Sequence, residues 1–480
     1  MDTSLIDGST RVVQTEEVNS NSNGVCSYDI EIWSEAKRQI YLAGPLIAVT
    51  ILQFCIQIIS LMFVGHLDEL SLSSASLGNS FASVTGFYVL LGMSTALETL
   101  CGQSYGARQY EMLGIYTQRA MIVLMVCSIP LSVIWFYTTD ILILLRQNHE
   151  IAMGAGVFNK WMIPSLFGYG LLQCLTRFLQ TQCIVLPMVL TSCIAALLHV
   201  PLCWALIFKL GLGIKGAALA NVVSYWLSFF LLAIYVKVWN KTWNGLSKQA
   251  FFDIWSFLKL AIPSAFMICL EYWSFEMVVL LAGLLPKPQV ETSVLSISLN
   301  TCWMVYMISV GLGAAVSTRV SNELGAGRPN AARLAFYVMG LISVTEGLVV
   351  AIITISIRHV WGRLYSDEEE VVRYVSKMML LLAVSDFLDG FQCALSGAAR
   401  GCGWQKMCSF INFVAYYIVA VPLAVLFAFV LHMGGMGLWL GIICGLSVAV
   451  IVLVIVILCT NWEKVGSKYK DLPQDESSNS

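Results

Sequence analysis

Leu260 to Ala282 reads LAIPSAFMICLEYWSFEMVVLLA, an apolar run long enough to cross a bilayer as one helix, yet it carries two glutamates, Glu271 and Glu276. A carboxylate near the centre of such a span costs roughly 2.5 to 3.5 kcal/mol, so it persists there only if it faces a cavity, is paired, or is protonated. Working outward, the same conflict recurs at Glu98, Glu346, Asp386 and Asp389, and all of these except Glu98 lie in the second half of the chain. A helix holding both Asp386 and Asp389 gives up about 5 to 7 kcal/mol on that scale. The asymmetry points to ion-coupled work concentrated in one half.

The 480 residues are 58% hydrophobic and 12% charged, with mean hydropathy +0.78, a balance that leaves too little polar surface to cover a soluble domain. The chain reads as an all-α polytopic membrane protein. Apolar runs predict twelve transmembrane helices near 40–63, 76–99, 115–138, 157–181, 184–208 and 214–236, then 255–284, 292–316, 334–357, 373–397, 408–430 and 435–459. An even number of spans puts both termini on one side. Assigning that side to the cytoplasm places about 18 of the Lys and Arg residues inside, as the positive-inside rule expects. Arg108, Lys237, Lys241, Lys248, Arg319, Arg328, Arg333, Arg400 and Lys406 are then cytoplasmic.

The chain also repeats itself. Leu42-Ala43-Gly44-Pro45 recurs as Leu260-Ala261-Ile262-Pro263, and Gly106-Ala107 with Arg108 recurs as Gly325-Ala326-Gly327-Arg328. Leu172-Gln173-Cys174 matches Phe391-Gln392-Cys393, and Gly213-x-x-Gly216 matches Gly434-x-x-Gly437. Four matches in order, separated by an even number of helices, imply parallel repeats: two six-helix lobes related by a pseudo-twofold axis along the membrane normal, with a cavity open alternately to each side. The boundaries expected are a tail over 1–35, a first lobe over 36–236, a linker over 237–253, a second lobe over 254–460 and a tail over 461–480. Both tails are rich in Ser, Asn, Asp and Glu and read as disordered and cytoplasmic. The linker, with Asn240, Asn244, Gly245 and Ser247, reads as a polar, basic cytoplasmic tether.

The net charge of -2 and the lack of any basic run give no sign of a nucleic-acid partner. The fifteen cysteines lack CxxC spacing and a companion His cluster, so they read as small apolar residues, with no metal and no disulfide framework. No charged start leads into a short apolar segment, so the first helix is expected to serve as the insertion signal.

The strings Gly102-Gln103-Ser104-Tyr105-Gly106-Ala107, Arg319-Val320-Ser321-Asn322-Glu323-Leu324-Gly325-Ala326-Gly327 and Gly397-Ala398-Ala399-Arg400-Gly401-Cys402-Gly403 together resemble the multidrug and toxic compound extrusion (MATE) family. Cys269-Leu270-Glu271-Tyr272-Trp273-Ser274-Phe275-Glu276 is similar to the seventh helix of its eukaryotic branch, particularly the plant DETOXIFICATION proteins. The resemblance runs from about Glu35 to Trp462. It implies the MATE fold and an exporter that exchanges protons for organic solutes, often cationic or amphipathic, with coupling acids on the seventh and tenth helices. By motif these fall on Glu271 and Asp389. The bacterial branch commonly uses a first-helix aspartate, whereas the span from Ile40 to Phe63 contains no acid.

Glu271 and Glu276 are five residues apart, about 140° around a helix, so they cannot share one narrow pocket. Glu271 is the expected proton carrier, and Glu276 a supporting or substrate-contacting acid. Asp386 and Asp389, about 60° apart, share one face of their helix and can meet the seventh helix across the lobe. Asp386, Asn300, Tyr272 and Tyr416 join Glu276 as supporting or substrate-binding candidates, and Tyr272, Trp273, Trp303, Tyr306 and Tyr416 supply rings for a cationic solute or for packing. Pro263 removes a backbone hydrogen bond eight residues before Glu271 and can bend the seventh helix. Glu98 and Glu346 read as structural, and Glu323 as an i,i+4 partner of Arg319.

The expected function is proton-driven antiport of an organic solute by alternating access, with protonation of the second-lobe carboxylates driving release. H+ is the coupling ion and no cofactor is needed. Sodium is an alternative, because carboxylates and helix-end carbonyls also bind Na+. The partners are a small organic solute, protons and the lipid bilayer, with the protein a monomer in the plasma or vacuolar membrane. A lipid-linked sugar flippase of related architecture would need cationic residues in its cavity, and the membrane interior reads as carrying acids rather than Arg or Lys. An embedded enzyme is disfavoured because the five histidines form no HExxH or similar spacing, and a receptor because it has no need of twelve helices in two copies.

Overall fold

The computed structural model describes residues 23–286, 288–365 and 368–470. Twelve long helices run in chain order: α1 Asn23–Gly65, α2 Glu69–Gly106, α3 Tyr110–Phe136, α4 His149–Thr181, α5 Leu186–Lys209 and α6 Ile214–Trp239 form one lobe. The second lobe comprises α7 Ile254–Ala282, α8 Pro288–Gly325, α9 Pro329–Trp361, α10 Glu369–Gly401, α11 Gln405–Val430 and α12 Gly434–Leu458. A last helix, α13 Trp462–Lys470, follows. The packing pattern of the first lobe recurs in the second: α4 contacts α2, α3 and α6 as α10 contacts α8, α9 and α12, and α1 rests on α5 as α7 rests on α11.

Eleven of the twelve have the length and apolarity to cross a membrane by themselves. The twelfth, α4, is too polar for that test, because it carries Asn159, Lys160, Gln173, Arg177 and Gln180. Most of its polar side chains turn inward: Asn159, Gln173, Arg177 and Gln180 are all buried.

Two sequence boundaries need correction. The first helix starts at Asn23 rather than near residue 40, so the 1–35 tail is too long; only residues 1–22 of it lie outside the described residues. The polar turn is recruited into the helix because the amide of Gln39 donates to the Ala335 carbonyl at 2.8 Å and Glu35 takes both Arg319 nitrogens at 2.9 and 2.8 Å. Likewise 461–480 is not all tail, because Trp462 packs its ring near Phe336 and Trp404 and anchors α13; residues 471–480 lie outside the described residues. The linker is also held rather than loose: Gln118 bonds Gly245 and Ser247 in it, and Ala250 is buried.

The lobes close on each other at the end that carries the termini. There α2 crosses α8 so tightly that a Cβ at Gly106 would overlap the Asn322 carbonyl, and one at Gly325 the Gln103 carbonyl. Gly102 lies against Ser321 in the same way. The Gly106 and Gly325 motifs are therefore contact points between the lobes, whereas Gly216 and Gly437 pack within their own lobes against Leu206 and Phe427. Away from that end the lobes diverge around a central cavity open to the surroundings.

Candidate functional site

The central cavity is lined by both lobes, from Thr50, Gln53 and Gln57 of α1 and Asn79 and Tyr88 of α2 to Glu276 of α7 and Asn300 of α8. Among the described residues, the charged side chains that line it are Glu276 and Arg177. Sequence reasoning missed Arg177 and misplaced Arg400 on the cytoplasmic surface. Both are buried, contrary to the expectation of an interior with acids alone. They are tolerated because one fully buried carboxylate, Glu98, takes Arg177 at 2.8 Å and Arg400 at 3.0 Å. The Arg400 arm crosses from one lobe to the other. A buried pair of this kind needs its remaining donors satisfied; Arg177 also donates to Gln180 Oε1 at 2.7 Å.

Glu271 and Asp389 do not line the central cavity. They face a separate, very small pocket inside the second lobe, with Phe275, Cys302 and Tyr306. Tyr272 and Trp303 border both spaces and stack with centroids 5.0 Å apart and planes 13° apart, so a pair of rings forms the partition. Tyr88 of the first lobe lies against Tyr272 at 4.3 Å on the cavity side. The 140° separation of the two glutamates in α7 is what sends Glu276 into the cavity and Glu271 behind the rings.

Glu271 is 4% exposed and surrounded by donors. The Tyr306 hydroxyl donates to Oε1 at 2.8 Å, and the Gln392 and Asn412 amides donate to Oε2 at 3.3 and 3.5 Å. Tyr416 in turn donates to Gln392 Oε1 at 2.9 Å, fixing the amide so that its NH2 points at the acid. Asn412 is oriented by a second bond to the Met267 carbonyl at 2.9 Å. Asp389 is 3% exposed, and its Oδ1 has no hydrogen-bond partner among the described residues. Asp386, 5% exposed, has only the weak thiol donor of Cys302 beside it. Orphaned buried polar atoms cost about 1 to 3 kcal/mol each, so they mark places where function outweighs stability.

The remaining sequence candidates are distributed as follows. Asn300 and Glu276 line the cavity, Tyr416 orients Gln392, and Trp273 is spent on a bond to the Val84 carbonyl at 2.9 Å. Pro263 sits inside an unbroken helix, and Ser409 of α11 donates to its carbonyl at 2.5 Å. Glu323 pairs with Arg319 at 2.9 Å and also with Arg328 at 2.9 Å. Gln392, Asn412 and Gln53 were missed. A signal was present for two of them: Gln53 stands before Glu271 at the same offset as Pro45 before Pro263, and Gln173 is the repeat equivalent of Gln392 in the Leu172-Gln173-Cys174 and Phe391-Gln392-Cys393 match, one residue further on in offset.

Two six-helix lobes around a cavity that reaches one membrane face, with buried acids beside it, define a polytopic membrane transporter. The chain belongs to the MatE family, whose sequence profile matches residues 45–205 and 263–426. It is 56% identical over 447 residues to Protein DETOXIFICATION 16 of Arabidopsis thaliana, covering 92% of each chain, and 54% identical over 442 residues to Protein DETOXIFICATION 17 of the same plant, covering 92% of this chain and 93% of that one. The crystal structure of the eukaryotic MATE transporter AtDTX14 superposes with a TM-score of 0.89 at 46% identity, covering 92% of this chain and 99% of that one. An outward-facing MATE structure at 16% identity shares the fold, with a TM-score of 0.80, covering 91% of this chain and 97% of that one. The protein is thus a multi-pass membrane transporter of small organic compounds and not an enzyme.

Proposed function

We propose that this transporter exports organic cations, or amphipathic solutes with a cationic group, in exchange for protons bound at Glu271 and Asp389. The observation that carries the reading is the partition: the two most deeply buried acids of α7 and α10 sit behind Tyr272 and Trp303, while Glu276 meets the solute on the other side. A proton arriving at Glu271 changes what its three donors hold, and the Tyr306 and Tyr272 rings that pack edge to face transmit that change to the cavity wall. The cavity's aromatic and carboxylate lining suits a cation, since rings and an unpaired acid both attract positive charge. A diphosphate-bearing lipid would find only Arg177, which Glu98 already neutralises.

On this reading the end carrying the termini faces the cytoplasm, and the cavity opens to the opposite side, in the plasma or vacuolar membrane. Release therefore follows protonation from that side. The test is accumulation of a fluorescent organic cation in inside-out vesicles with an acidic lumen and no sodium. The reading expects accumulation that a protonophore collapses and that Glu271→Gln and Asp389→Asn each abolish. Accumulation that follows only an imposed sodium gradient would move the coupling to Na+.

A further inference from the structure

The sequence reading set Glu346 aside as a structural residue because no acid neighbours it along α9. Across the lobe it has company. Its Oε2 lies 3.1 Å from the point where a Cβ of Gly390 would stand, and the Ser309 hydroxyl lies 3.0 Å from the same point. Glu346 of α9 therefore reaches over the α10 backbone immediately beside Asp389, where a Cβ at position 390 would press on its carboxyl by a few tenths of an ångström. Its Oε1 is buried and has no hydrogen-bond partner among the described residues, like Oδ1 of Asp389, and Asp386 has only the Cys302 thiol beside it. Among the described residues, four carboxyl oxygens of three acids in one lobe thus lack any partner stronger than the Cys302 thiol beside Asp386, and Asp386 and Asp389 are more than nine-tenths buried. Asp386 lies within electrostatic reach of Glu346, and Asp389 within that of Glu346, Asp386 and Glu271. None of Glu346, Asp386 and Asp389 lines the central cavity.

We propose that Glu346 is a proton-relay residue that supplies Asp389 by way of Asp386, along a route through the second lobe that bypasses the solute cavity. The inference rests on the proton-exchange reading above. Protons hop from one carboxyl to the next: each acid accepts a proton on one oxygen and gives one up from the other, and the charge entering at Glu346 leaves from Glu271 or Asp389. The titratable groups facing this chain are Glu271 from α7, Cys302 and Tyr306 from α8, Cys393 and Arg400 from α10 and Tyr416 from α11. Apart from Arg400, which pairs with Glu98, none of them is cationic, and among the described residues no ion pair neutralises Glu346 or Asp386. A separate route lets the solute and the proton approach one site from different sides.

The experiment uses the full chain in proteoliposomes with ethidium as the organic-cation probe, comparing two modes: uptake driven by an inside-acid gradient, and exchange of labelled for unlabelled probe at equal pH, which needs no net proton movement. Glu346→Gln should slow gradient-driven uptake by about tenfold or more, as loss of a proton-transfer group does, while exchange stays within about twofold. Glu346→Asp should restore driven uptake. Gly390→Ala, which displaces the carboxyl without removing it, should give the same split in milder form. Equal driven uptake in wild type, E346Q and G390A overturns the relay alone, and so does a loss of both modes together, which is what a packing role produces. A wild type indifferent to the pH gradient but competent in exchange overturns the proton reading and the relay with it.

Discussion

The two lobes contain the same arrangement once with an acid and once without. In the second lobe the Gln392 amide of α10 donates to Glu271 of α7 at 3.3 Å; in the first, the Gln173 amide of α4 donates to Gln53 of α1, also at 3.3 Å. The positions that carry Tyr306, Asp386 and Asp389 in the second lobe carry Phe87, Phe167 and Gly170 in the first. The geometry is shared, and the chemistry has been removed from one copy. What the first lobe keeps is Glu98, tied to two arginines and so committed to holding the lobes together. A carboxylate with cationic partners is a strut, whereas one with neutral donors or none is free to exchange a proton.

The comparison breaks most visibly at its acids. Glu271→Gln, which makes the second lobe resemble the first, should cut pH-driven uptake of an organic cation by about a hundredfold or more, equivalent to at least about 2.7 kcal/mol, with protein still in the membrane. The mirror change Gln53→Glu should leave driven uptake mostly intact. Comparable losses from the two substitutions would show that the lobes are not specialised.

Next comes the strut. Glu98→Gln strands Arg177 and Arg400 in a buried site and should destabilise the protein by about 3 to 5 kcal/mol, read as a lower midpoint of thermal aggregation in detergent. The i,i+4 pair Arg373 and Glu369 is exposed at the lobe's edge, so Arg373→Ala should move that midpoint little. A similar fall in both would remove the distinction between strut and surface pair.

Tyr306→Phe sharpens the contrast further, because it gives the second lobe the residue that the first carries at that position. One hydrogen bond to Glu271 is lost, worth about 1.5 to 3 kcal/mol when the acceptor is charged. The pH dependence of driven uptake should shift, with the rate at its optimum changed by less than about tenfold. A profile that superposes on wild type would mean that the bond does not hold the coupling state. The smallest effect is expected at Gln173→Leu, where an amide pair in a lobe without an acid is lost, at about 1 kcal/mol of stability and with the pH profile unmoved.

Much of the fold was legible because bilayer crossing writes itself into composition: apolar length and paired Gly and Pro motifs marked the helices and their repeat. The most polar span, α4, is readable as the apolar run over 157–181 even though it falls short of the apolarity the other eleven reach. Ends were harder to read. Glu35 and Gln39 look like a polar tail until their partners Arg319 and Ala335 are brought to them by the other lobe. The same limit hid the site's second half. Glu271 and Asp389 announce themselves as acids in apolar helices, but Glu98 and Arg400 are separated by 302 residues, and Glu346 meets α10 across the lobe, beside Gly390. Spacing along one helix cannot show a contact made across two.

The most direct test of the central claim is the proton movement that accompanies solute entry. Full-length protein in proteoliposomes with a pH-sensitive dye trapped inside would be given ethidium outside, and the lumen followed for wild type, Glu271→Gln and Gln53→Glu. The account predicts a lumenal alkalinisation for wild type and Gln53→Glu and none for Glu271→Gln. An equal proton signal from Glu271→Gln, or its loss from Gln53→Glu alone, would contradict the claim that exchange is confined to the second lobe.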